Sequence, residues 1–149
     1  MACACAALET DLLFVYGTLR SDVGHPMHWE LRRLAAFEGP ARLPARLYDL
    51  GAYPGIVAPR LPGDVVTGEV YRLREPAAAL ERLDRYEGCT SVDAEPHEFG
   101  RAVAQVRLLR GGAASAWVYW YLGRPAHARL LSHGDYARAL RERRPGANL

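Results

Sequence analysis

Leu12-Leu13-Phe14-Val15-Tyr16-Gly17-Thr18-Leu19-Arg20 is the stretch that decides how this chain folds. Its first five residues form one continuous apolar run, aromatic and β-branched in part. Such a run predicts a buried strand rather than a surface strand of alternating character. Gly17 ends it. A glycine there reaches conformations closed to other residues, and successive N–H groups in such a turn can form an anion-binding nest. Thr18 adds a hydroxyl. The plain alternative is that Gly17 only makes a turn. The Gly spacing of a phosphate loop or dinucleotide fingerprint is absent.

Outward from this stretch, residues 26–36 place Met27, Leu31 and Leu34 at helical spacing behind Pro26. Residues 41–50 are weakly strand-like. Residues 52–63, with three prolines and two glycines, read as irregular. Residues 65–73 predict a strand with Gly68 at a bulge or a close backbone approach. Residues 76–87 predict the clearest helix, begun at Pro76 and closed by Gly88. Residues 89–99 read as loop. Residues 102–109 and 114–122 read as a hairpin turned at Gly111-Gly112. Ser132 and Asp135 suit a capping box for a last helix over 133–144. Strands are not followed regularly by helices, which argues against a doubly wound fold. The expected class is α+β, a curved or barrel-like sheet with peripheral helices, in one domain over 1–149. Residues 1–10 and 145–149 are expected to be flexible ends.

Within the 76–87 helix, Leu80, Leu83 and Glu87 share one face. A carboxylate on an apolar stripe is costly to bury unpaired, and the last turn is the negative end of the helix dipole. Both effects raise a carboxyl pKa, as a general acid/base near neutral pH requires. The alternative is that Glu87 bends outward and pairs with an arginine. Trp117, Tyr119 and Tyr121 share one strand face, with Val118 and Trp120 on the other.

Composition narrows the function classes. Half of the 149 residues are hydrophobic and the formal charge is +2. All 19 basic residues are arginine, scattered along the chain except for Arg138, Arg141, Arg143 and Arg144, which read as a solvated helix face. No strong field for nucleic acid or an anionic membrane results. Cys3, Cys5 and Cys89 make neither a disulfide framework nor a zinc site, and an acidic neighbour raises rather than lowers the Cys89 thiol pKa. His25 and His28 read as a surface pair without a third ligand, and His97, His127 and His133 add no pattern. No metal and no cofactor are expected. No apolar stretch approaches the roughly 20 residues that span a bilayer, and the N-terminus lacks a signal-peptide pattern, so a cytoplasmic protein is expected.

Five segments in order resemble the γ-glutamylcyclotransferase-like family: VYGTLR at 15–20, YPGIV at 53–57, VTGEVYRL at 66–73, LDRYEG at 83–88 and WVYWYL at 117–122. The resemblance implies a small mixed β-barrel flanked by helices. It implies that Tyr16, Gly17, Thr18 and Leu19 bind the α-carboxylate end of a γ-glutamyl group, and that Glu87 is the catalytic acid/base. The implied chemistry is cyclisation, in which the substrate's α-amine attacks its own γ-carbonyl and releases 5-oxoproline and a free amine. The implied partner is a small γ-glutamyl molecule, with no nucleic acid and no membrane; the oligomeric state is left open. One departure stands out. The family commonly carries a Tyr two residues before an Arg after LDxxEG, and here Phe99 precedes Gly100-Arg101. Tyr71 or Tyr119 are candidates to supply the missing hydroxyl. A non-catalytic binding member of the same fold is the alternative.

Overall fold

The computed structural model describes residues 9–143. Cys3, Cys5, Arg144 and most of both expected flexible ends lie outside the described residues. The elements in order are β1 (Leu12–Val15), α1 (Met27–Leu34), β2 (Ala35–Pro44), β3 (Arg46–Asp49), β4 (Pro54–Val57), β5 (Val65–Leu73), α2 (Pro76–Glu87), β6 (Phe99–Leu108), β7 (Ala113–Tyr121), β8 (Arg129–Leu130) and α3 (Tyr136–Arg143).

Five strands close a barrel in the order β1-β5-β2-β6-β7, and β4-β3-β8 form a small separate sheet. The barrel is mixed: β1 runs parallel to β7, at Leu13 opposite Trp117, and the other pairs are antiparallel. Closure leaves no barrel edge unpaired. The class expected from the sequence is the one observed.

The run at 12–16 is continuous because β1 buries both faces. Leu12, Phe14 and Tyr16 join one apolar cluster, with Val66, Val70, Val106, Ala116 and Val118 from the barrel strands. Leu13 and Val15 join a second cluster, in which Leu31 of α1 and Leu80 and Leu83 of α2 meet Trp117 and Tyr119. Each buried Leu contributes roughly 1.5–3 kcal/mol. The alternation expected along β7 therefore separates two cores. Gly68 is a close approach: a Cβ there would collide with the Val15 carbonyl and the Phe14 ring.

α2 spans the predicted residues. Gly88 takes φ 71, and the N–H groups of Gly88 and Cys89 close on the carbonyls of Arg85 and Asp84. Three expectations need correction. The stretch 52–63 is not wholly irregular, because Pro54–Val57 pair with β3 and so tie it to the small sheet. The Ser132–Asp135 capping box does not form. α3 starts at Tyr136, and Asp135 itself accepts the Arg138 N–H at 3.2 Å. His28 is not at the surface: it is buried, and its Nδ1–H donates to the Leu19 carbonyl at 2.9 Å.

Candidate active site

One cavity of about 330 Å³ gathers the turn after β1, the end of α2, the start of β4 and the residues entering β6. Tyr16, Gly17, Thr18, Leu19 and Glu87 all line it. The residues singled out for binding and for acid/base work are thus neighbours, 68 positions or more apart in the chain.

The 16–19 turn is fixed from both sides. Tyr16 is buried, and its Oη donates to the Tyr119 carbonyl at 2.6 Å. The Arg20 N–H donates to the Gly17 carbonyl at 3.0 Å and closes the turn. The Arg20 guanidinium is itself buried and pairs with Asp22 and Asp135. The next residue, Ser21, donates its N–H and hydroxyl to the buried Glu69 carboxylate. Within the turn, the N–H groups of Gly17, Thr18 and Leu19 have no acceptor among the described residues. Gly17 does not take a positive φ, so the left-handed nest expected from its permissive backbone is absent. The physical need for glycine is proximity: a Cβ at residue 17 would stand 2.7 Å from Pro54 Cγ.

Glu87 is the last residue of α2 and continues its buried Leu80–Leu83 stripe. Its carboxylate has neither a hydrogen bond nor an ion pair among the described residues. Burial, and then the negative charges of Glu98 and Asp84, push its pKa up to about 7. The outward, arginine-paired alternative is not what the fold adopts. Arg101 meets α2 one turn earlier: it clamps Asp84 with Nε at 2.8 Å and Nη2 at 3.0 Å, and lies over the Trp117 ring at 4.4 Å. Tyr119 Oη also donates to Asp84, at 2.6 Å. This Asp84–Arg101–Tyr119 group ties α2 to β6 and β7, and so holds the helix end that carries Glu87.

The sequence did not mark Tyr86, Tyr53, Glu98 or His25 as cavity-wall side chains. Tyr86 Oη lies 2.8 Å from Thr18 Oγ1 and links α2 to the turn. Tyr53 Oη donates to the Glu98 carboxylate at 2.5 Å, which pushes the Tyr53 pKa up to about 12. His25 faces the cavity too. YPGIV at 53–57 and LDRYEG at 83–88 contained the two tyrosines, but nothing local marks either as facing Glu87. Phe99 is buried on the wall with no hydroxyl, and the Tyr53 ring stands 5.9 Å away. Tyr119 lines the cavity, but its hydroxyl is committed to Asp84. Tyr71 is elsewhere, bonded to Glu69. Burial and Asp84 push the Cys89 thiol up to about 11. Among the described residues no group of three His, Cys, Asp or Glu is placed to hold a metal, and no helix is long and apolar enough to cross a membrane.

Residues 13–138 match the family described as Gamma-glutamyl cyclotransferase, AIG2-like. A Vibrio cholerae protein provisionally named a gamma-glutamylcyclotransferase is 33% identical over 126 residues, covering 84% of this chain and 94% of that protein. The crystal structure of an AIG2-like protein from Mus musculus superposes with a TM-score of 0.63 at 28% identity, covering 80% of this chain and 82% of that one. Bacillus subtilis YkqA superposes with a TM-score of 0.67 at 24% identity over 89% of this chain, a likeness of fold alone. The chain spans 42% of the YkqA structure's length.

Proposed function

The chain belongs to the gamma-glutamyl cyclotransferase, AIG2-like family, and from that premise we propose that it cyclises a γ-glutamyl amine or peptide to 5-oxoproline and a free amine. The observation that carries the reading is Glu87, a largely covered carboxyl with no cationic partner among the described residues, pushed up to about 7 beside the Tyr16–Leu19 turn. In this reading the open N–H groups of the turn receive the α-carboxylate of the glutamyl group. The α-amine and the γ-carbonyl then lie at Glu87.

The nucleophile is tethered to its electrophile, so orientation alone supplies up to roughly 7–11 kcal/mol of the barrier. The α-nitrogen bonds to the γ-carbon as Glu87 takes its proton. The bond from the γ-carbon to the departing nitrogen breaks as Glu87 returns that proton. A carboxyl group titrating near 7 does both jobs at neutral pH. The Tyr53 ring stands beside Phe99, near the position where the family commonly has a tyrosine, but its hydroxyl proton goes to Glu98.

The test is 5-oxoproline release from a panel of γ-glutamyl amines and γ-glutamyl dipeptides. Replacing Glu87 with Gln is expected to lower kcat by roughly 10²–10⁴-fold. Turnover that survives Glu87→Gln sinks the catalytic assignment. Binding of these compounds without turnover by the wild type makes the chain a non-catalytic member of the fold.

A further inference from the structure

The cavity around Glu87 is lined by two carboxylates, Glu87 and Glu98, and by no arginine. Arg20 and Arg101 are committed to other acids, Arg20 to Asp22 and Asp135, and Arg101 to Asp84. Glu98 has no ion pair among the described residues, yet it is fixed at two points. Its carbonyl accepts the Leu122 N–H at 2.7 Å, and its carboxylate accepts the Tyr53 hydroxyl at 2.5 Å. Glu98 is exposed where Glu87 is largely covered, so the two acids mark the mouth and the depth of one cavity. Its negative charge nevertheless reaches Glu87 and helps to hold that carboxyl up.

With the α-carboxylate on the turn and the reacting atoms at Glu87, the departing amine is the part of the substrate left to extend toward solvent, past Glu98. We infer that the Glu98 carboxylate, held by Tyr53, is a leaving-group subsite that selects γ-glutamyl amines whose departing amine carries a second, cationic group. This inference rests on the cyclisation reading above. A diamine would place its far ammonium on Glu98. A departing amino acid would bring its free carboxylate against two acids on a wall that holds no arginine. An exposed ion pair is modest on its own, but attraction of the cation and repulsion of the anion act on the same ratio, giving a spread of about tenfold between them.

The experiment uses three matched substrates, the γ-glutamyl derivatives of diaminobutane, butylamine and aminobutyrate, with wild type and Glu98→Gln. The ratios of kcat/KM between substrates are read within each protein, so any effect of Glu98 on the Glu87 proton cancels. Wild type is expected to prefer the diamine derivative to the aminobutyrate derivative by about tenfold, with butylamine between. That spread should collapse toward unity in Glu98→Gln, and in wild type at high salt. Equal turnover of the three by wild type overturns the inference, as does a preference that survives Glu98→Gln. An equal loss on all three substrates in Glu98→Gln, with the preference kept, would instead put Glu98 on the glutamyl α-ammonium and also overturn it. If wild type releases no 5-oxoproline, the reaction fails separately. The order of affinities for the same three compounds, measured by calorimetry on wild type and Glu98→Gln, then decides the subsite.

Discussion

Replacing Glu87 with Gln should stabilise the folded protein, and by an amount that depends on pH. In the fold the Glu87 carboxyl titrates at about 7, against an ordinary value of 4.5. The native state therefore holds a proton between those values that the unfolded chain has released, and native stability falls as pH rises through the interval. The rise from 4.5 to about 7 corresponds to a full penalty of about 3 kcal/mol once both states are ionised. Glutamine keeps the shape and removes the charge. The stability difference between Glu87→Gln and wild type is thus expected to be near zero at about pH 4, about 1 kcal/mol at about pH 5 and about 3 kcal/mol at about pH 8. Urea unfolding of both proteins across that range measures it directly, and for a chain of this size the alkaline difference equals roughly 6–12 °C in Tm. A constant difference across the range, or a variant less stable than wild type at alkaline pH, would refute the claim that the fold carries an unpaired, destabilised carboxyl at this position. The measurement needs no substrate, so it tests the site's electrostatics apart from the reaction.

Other outcomes follow from the same geometry. If Glu87 acts first as base, kcat/KM should rise with pH through about 7, and Glu98→Gln, which removes a charge that holds the carboxyl up, should move this limb to lower pH; an unmoved limb would separate the two carboxylates. Gly17→Ala should cost about 1–3 kcal/mol and raise KM, because its Cβ would press on Pro54 and displace the turn; thermal unfolding and steady-state kinetics read the two effects, and an unperturbed variant would remove the packing reason for that glycine. Asp84→Asn should destabilise the protein by about 2 kcal/mol, since it leaves the half-buried Arg101 without its carboxylate. It should also lower kcat more than it raises KM, because the helix end that carries Glu87 loosens, and a change in KM alone would argue against that link.

Much of the fold was legible because its signals are local. The apolar run from Leu12 announced a strand buried on both faces, and each face proved to feed a different core. Pro76 and Gly88 bracket α2 through backbone stereochemistry that acts within a few residues. Where the reading failed, a distant partner had overridden local preference. Pro54–Val57 is a strand because β3 supplies its ladder. His28 is buried because Leu19 offers its imidazole a carbonyl. Gly17 is demanded by Pro54 across the cavity rather than by its own φ.

For the site, the sequence by itself determined Glu87 as a carboxyl on an apolar stripe at the negative end of a helix, since stripe and dipole are properties of that helix. Only the tertiary structure decided that it has no ion-pair partner among the described residues, while Arg101 is drawn to Asp84 and stacked on Trp117. The cavity wall is likewise a product of long-range pairs, Thr18 with Tyr86 across 68 residues and Tyr53 with Glu98 across 45. Periodicity within one element carries no information about which residue of another element it will face. The closure of the barrel set those neighbours, and with them the charge of the pocket.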